Sequence, residues 1–167
     1  MSFEIQASFA GDPTFDRKLQ DFHALVSSFD DKTVRQRFHC KPDDLAKMVT
    51  DIGYVLGKLG GILAIAYSNG VPVGEANLIA MDQNDREGWF EAVVHQDHRR
   101  HGVSSRLKTV VFGMAPKLGV SNILCSLELN NPGAIASTLN YAERNSLLVA
   151  LVKNADGKVT YCLRLPV

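Results

Sequence analysis

Arg99-Arg100-His101-Gly102, followed directly by Val103, Ser104 and Ser105, is the segment of this sequence best suited to chemistry on an anion. The strand-like run Trp89–Val94 ends just before it, and Val103, Leu107, Val110, Val111 and Met114 recur at helical spacing just after it. A helix start leaves about four backbone N–H groups unpaired at the positive end of the helix dipole. Such amides are natural ligands for phosphate or pyrophosphate. Gly102 lets the backbone approach an anion closely. Arg99 and Arg100 supply guanidinium groups shaped for phosphate, and Ser104 and Ser105 add hydroxyl donors. On local physics alone, the segment serves equally well as an ordinary helix N-terminus with two surface arginines.

Other reactive residues offer less. His95, His98 and His101 form H-x-x-H-x-x-H, and imidazoles suit zinc. In a loop that enters a helix, however, this spacing does not bring three rings to one point, and no Cys or His cluster supports it. No metal is expected. Cys40, Cys125 and Cys162 are odd in number, far apart and without C-x-x-C spacing. They read as reduced, mostly buried thiols of a cytoplasmic protein.

The elements around these residues follow from periodicity and turn chemistry. Phe3–Phe9 alternates as a strand. Phe15, Leu19, Phe22 and Val26 predict a helix, Asp30–Phe38 a second, and Pro42-Asp43-Asp44 opens a third that Gly60-Gly61 closes. Ile62–Tyr67 and Val71–Met81 are strands joined by the hairpin signal Asn69-Gly70. Asp82–Arg86 is a turn, and Trp89–Val94 is the next strand. After the helix from Val103, which Pro116 and Gly119 end, come a strand at Ser121–Leu129 and a helix at Pro132–Arg144. Two strands complete the order, Leu147–Val152 and Lys158–Leu165, joined by a turn at Asn154–Gly157. The fold class is α+β: a meander followed by β–α units on one mixed, mostly antiparallel sheet flanked by helices. The 167 residues are read as one domain.

Composition excludes several function classes. The formal net charge of zero gives no reason to expect a nucleic-acid or membrane-surface partner. No apolar run approaches the roughly 18–20 residues that span a bilayer, and MSFEIQASF lacks the pattern of a signal peptide.

Arg99-Arg100-His101-Gly102-Val103-Ser104 resembles the acetyl-CoA pyrophosphate motif of GNAT N-acetyltransferases, Q/R-x-x-G-x-G/A. Ser104 replaces the final small residue. Asn131-Pro132-Gly133-Ala134 resembles the N-x-x-A start of that family's next helix, and Tyr141 lies near where the family often keeps a tyrosine. The resemblance covers about Ile62–Leu165. Thr33–Phe38, with Asp43-Asp44-Leu45, is similar to the S-x-x-x-R-F segment of bacterial Pat-type protein lysine acetyltransferases.

The resemblance implies the GNAT fold and direct attack of an amine on the thioester of acetyl-CoA. A lysine-like amine has a pKa near 10.4, so freeing its lone pair at pH 7 costs about 4.6 kcal/mol. A base or a desolvating pocket must help. Glu91, facing the same side as Trp89 and Val93, is the expected base; a solvent-facing structural glutamate is the alternative. Val93 and Val94 are expected to supply amides to the oxyanion and the pantetheine arm. Arg99, Arg100, His101, Gly102, Val103, Ser104 and Ser105 would hold the diphosphate. Tyr141 would protonate the leaving thiolate or serve as a core tyrosine, and Asn131 would meet the pantetheine or cap its helix. The expected acceptor is a protein lysine. The alternatives are a small amine (polyamine, amino acid or aminoglycoside) and a domain that binds acyl-CoA without catalysis. Homodimerisation stays open. All of this requires a splayed cleft beside the helix that begins at Val103.

Overall fold

The computed structural model describes residues 2–38, 40–82, 84 and 86–166, and for Gln36, Arg37 and Asp82 the backbone only. The strands are β1 (Glu4–Phe9), β2 (Gly61–Ser68), β3 (Val71–Asp82), β4 (Glu87–Val94), β5 (Asn122–Glu128), β6 (Leu148–Ala155) and β7 (Lys158–Arg164). The helices are α1 (Phe15–Ser27), α2 (Asp31–Phe38), α3 (Leu45–Leu59), α4 (Val103–Met114) and α5 (Pro132–Arg144). The order matches the expected β, helices, βββ, α, β, α, ββ. The turn expected at Asp82–Arg86 falls partly on Gln83 and Asp85, outside the described residues.

Local chemistry explains most boundaries. Asp30 accepts the Thr33 amide at 2.7 Å, so it caps α2 rather than opening it. Pro42–Asp44 forms a single 3-10 turn ahead of α3. Asn69 and Gly70 both have positive φ, as do Asp156 and Gly157, which is the mirror-image turn that suits a hairpin's twist. The second pair tightens the last hairpin, so β6 runs to Ala155, beyond the expected end at Val152. A short 3-10 turn at Gln96–His98 stands where an irregular loop was expected.

The sheet order is β1-β2-β3-β4-β5-β7-β6. β2 is buried along nearly its whole length and sends alternate residues to two cores. Ile62, Ala64 and Ala66 join the core under α4, with Ala76, Leu78 and Phe90. Leu63, Ile65 and Tyr67 join the core under α1–α3, with Phe22, Leu25, Val49 and Leu56. The α4 side is small by design of the sequence. A Cβ on Gly74 would lie 3.0 Å from Val103 and 3.2 Å from Leu107, so the first turns of α4 rest directly on bare β3 backbone. That contact fixes where the helix start points.

β4 and β5 run parallel, which a crossover through α4 permits. Their pairing covers only Glu87↔Asn122, Gly88↔Ile123 and Trp89↔Leu124. Beyond Leu124, β5 stays with β7 while β4 stays with β3. The sheet therefore opens as a wedge between Phe90–Val94 and Cys125–Glu128.

At the far edge, β6 carries Leu148, Val149, Leu151 and Val152 exposed, at 42 to 69%. Cys125 is buried as expected, whereas Cys40 and Cys162 are only half-buried. All three are free thiols. Among the described residues, no helix is long and apolar enough to cross a membrane.

Candidate active site

The wedge leads into a cleft of about 730 Å³ that passes through the sheet. On one side it meets the start of α4. The Arg106 amide donates the first helical bond to the Gly102 carbonyl at 3.1 Å, so the amides of Val103, Ser104 and Ser105 precede the ladder, and Gly102 has no side chain to cap them. Gly102 takes φ +80 and Arg100 φ +64, left-handed conformations that form the tight turn into the helix start. Arg99 Nε donates to the Val94 carbonyl at 3.1 Å and ties the loop to the strand end. Arg99, Arg100, Gly102, Val103, Ser104 and Ser105 all line the cleft. His101 is exposed and does not.

The wedge supplies further donors. The His95 amide bonds to the Val73 carbonyl at 2.9 Å. Antiparallel alternation then turns the N–H and C=O groups of Val94, Ala92 and Phe90 to the opposite edge, into the wedge. Val93 shows its side chain to the cleft, but its backbone groups serve β3. Asn131 lines the cleft with its Oδ1 engaged as the α5 cap, accepting the Ala134 amide at 3.2 Å.

On the other side of the sheet the cleft is walled by Phe22, Phe38, Ile52, Trp89 and Val93, with Glu75, Asn77 and Glu91 among them. Phe38 ends the segment similar to the Pat-type enzymes; the Arg37 side chain of that segment lies outside the described residues. Glu91 is exposed, with Trp89 Nε1 3.3 Å from its Oε1. Glu75 is the residue that the sequence reading missed. It is 2% exposed, and burial pushes its carboxyl up to about 8, against the pull of the Asn77 amide and with a further push from the Glu91 charge. Asn77 Nδ2 donates to Glu75 Oε1 at 2.9 Å, while Asn77 Oδ1 is buried without a partner among the described residues. One signal was available: Glu75 and Asn77 are the only polar pair inside an otherwise apolar strand, Val71–Met81.

Of the two places expected for Tyr141, the fold gives it the one in the core. It is 6% exposed, its ring packs edge-on against Phe112 at 5.5 Å, and its hydroxyl lies 3.3 Å from Thr109 Oγ1. It is not among the residues that line the cleft. One turn earlier on α5, Ser137 and Thr138 face the cleft instead, and so does Lys108 of α4. The rings of His95 and His98 lie 6.1 Å apart, with His95 stacked on Phe29 and His98 edge-on to Phe3. No group of three or more His, Cys, Asp or Glu among the described residues is placed to hold a metal.

The model of the Acetyltransferase (GNAT) family matches residues 22–138. No curated protein sequence matches. Among solved structures, the GNAT domain of S. lividans PAT is 16% identical, with 96% of this chain and 90% of that one covered and a TM-score of 0.69. A phosphinothricin acetyltransferase from Sinorhizobium meliloti in complex with AcCoA is 13% identical, with coverage of 98% and 88% and a TM-score of 0.68. The diaminobutyrate acetyltransferase EctA from Paenibacillus lautus, in complex with L-2,4-diaminobutyric acid and coenzyme A, is 16% identical, with coverage of 98% and 96% and a TM-score of 0.63. At these identities the likeness is one of fold.

Proposed function

This chain belongs to the GNAT acetyltransferase family, and from that premise we propose that it transfers an acetyl group from acetyl-CoA to a primary amine on an apolar stem, a protein lysine first. The observation that carries this reading is the wedge. It joins unpaired amides at the start of α4 to a buried carboxyl on the opposite face of the sheet. The residues present suit acetyl-CoA. The amides of Val103–Ser105, with Arg99 and Arg100, would take the diphosphate. The open edge of β4 would bond the pantetheine arm as an added strand, and the Ala92 and Val94 amides would steady the oxyanion. When bound, acetyl-CoA supplies the activated acyl group.

On the acceptor side, Glu75 takes the role expected of Glu91. Its carboxyl and the unpartnered Asn77 Oδ1 offer two acceptors to an incoming ammonium. The apolar walls desolvate that ammonium and favour its neutral form. Phe22, Phe38, Ile52 and Trp89 suit an aliphatic stem that carries one amine. A polycationic acceptor would need acids along the wall, and at this end only Glu75 and Glu91 are acidic among the described lining residues. That favours a lysine side chain over a polyamine or aminoglycoside.

Calorimetry with acetyl-CoA, followed by intact-mass spectrometry on lysine peptides and on a panel of small amines, tests the reading. Acetyl-CoA should bind, and lysine peptides should gain a single acetyl group faster than spermidine does. Binding without turnover on any amine would replace the enzyme with a non-catalytic acyl-CoA-binding domain.

The partner reading extends to a second copy of the chain. The β6 edge presents apolar side chains on both faces, and such an edge invites strand pairing. A formal net charge of zero puts no long-range repulsion between copies. Light scattering should find a dimer that the double variant Val149→Lys, Leu151→Lys converts to a monomer. A wild-type monomer at micromolar concentration would remove the proposal.

A further inference from the structure

Lys108 is a cation in the cleft wall that the reaction described so far leaves without a role. It is 3% exposed. Its Nζ donates to Ser137 Oγ and to Thr138 Oγ1, each at 3.3 Å, and stands 5.9 Å from the centre of the Tyr141 ring. The titratable groups around it are Cys125 from β5 and Tyr141 from α5. Among the described residues, no carboxylate pairs with it. A buried ammonium with only hydroxyl partners is expensive to keep, and a methionine of similar volume would fill the same space without that cost. The arrangement makes sense where a negative charge arrives. Ser137, Thr138, Cys125 and Lys108 share the cleft with the open edge of β4. Acyl transfer from a thioester develops negative charge first on the carbonyl oxygen, which the β4 amides would meet, and then on the departing sulfur, which has no partner yet assigned.

We propose that Lys108 receives the departing sulfur of acetyl-CoA, with its ammonium stabilising the thiolate and passing it a proton. This rests on the acetyltransferase reading above. The acceptor nitrogen bonds to the carbonyl carbon, and the C–S bond breaks with its electron pair going to sulfur. One proton moves from Lys108 Nζ to that sulfur and gives free CoA thiol. The proton lost by the acceptor amine leaves through Glu75 and water, and neutral Lys108 is recharged from solvent. Lys108 thus takes the task that the family resemblance offered to Tyr141, whose hydroxyl points to Thr109 instead. Burial lowers the ordinary pKa of Lys108, which brings a proton donor nearer in strength to a thiol.

The test needs no acceptor. The protein is saturated with free CoA, and the ultraviolet absorbance of the thiolate is followed against pH. Bound CoA should ionise at lower pH than CoA in solution, because a nearby cation favours the anion. Lys108→Met should abolish that shift, and Lys108→Arg should retain much of it. CoA affinity by calorimetry should change by less than about tenfold, since the diphosphate site is intact. The melting temperature of the Met variant should equal or exceed that of wild type; Lys108→Gln provides a second uncharged variant. With a turned-over amine, kcat should fall by about 10²–10³ in Lys108→Met and recover in part with an activated ester, whose leaving group needs no proton. Equal thiol titration in wild type and Lys108→Met, with CoA bound in both, would overturn the role of Lys108 alone. Failure of the wild type to bind CoA would overturn both this inference and the acetyltransferase reading.

Discussion

Glu75→Gln is expected to lower kcat/KM for the amine by about 10²–10⁴ and to erase a pH dependence that wild type shows near pH 8. The glutamine keeps the shape and can keep the contact with Asn77, so the loss reports proton transfer and not packing. Burial raises the Glu75 carboxyl to about 8. At pH 7 the protonated form dominates, and the base form grows as pH climbs through that value. Wild-type kcat/KM should therefore rise through pH 8, and the variant should lack that step. Stability runs the other way. Above the ordinary value of 4.5 the unfolded chain has lost this proton while the folded chain still holds it. Wild-type stability should thus fall as pH rises from about 4.5 to 8, by an amount on the order of a few kcal/mol. Thermal melts across pH 5–9 should show that slope in wild type and a flatter one in the glutamine variant. A Glu75→Gln enzyme with wild-type rates and pH profile would return the base to Glu91, which sits exposed at the same end of the cleft.

Gly102→Glu should weaken acetyl-CoA binding by roughly 10²-fold or more while the protein stays folded. A carboxylate about 5 Å from a phosphate charge is unfavourable by about 3 kcal/mol at an effective dielectric near 20, and 1.4 kcal/mol is a factor of ten. The cost to the fold is smaller. A Cβ at Gly102 meets nothing within 4 Å, and an L-residue at φ +80 is strained by about 1–2 kcal/mol. Calorimetry and circular dichroism separate the two effects. Wild-type affinity in a folded Gly102→Glu protein would remove the diphosphate from the start of α4, and the rest of the assignment with it.

The contrast between these two positions shows what a single chain reveals. Gly102 was legible because its meaning is local. An apolar strand, a glycine-bearing basic loop and a helical repeat follow one another between Trp89 and Met114, and the dipole and free amides of a helix start need nothing else. Glu75 was not legible in that way. On a two-residue period, a glutamate among apolar neighbours reads as the outward face of a strand. Only α1–α3, which cover that face of the sheet, make it a buried acid.

The sequence left Tyr141 between cleft and core for a related reason. The helical pattern of Pro132–Arg144 says which residues share a stripe, but not how the stripe is divided between cleft and core. Packing against Phe112 carries Tyr141 past the cleft, while Thr138, one turn earlier, borders it beside Lys108. The two-residue period did place Glu91 with Trp89 on one face, as the 3.3 Å contact between them shows.

The order of the elements, the two tight hairpins and the uncapped helix start at Val103 are written in the chain locally, because each depends on near neighbours. Where β4 and β5 part, which carboxyl is stripped of water and which lysine is buried in the cleft wall follow only from the packed fold. Those depend on dielectric surroundings and strand pairing set by residues tens of positions away, and periodicity carries no record of them.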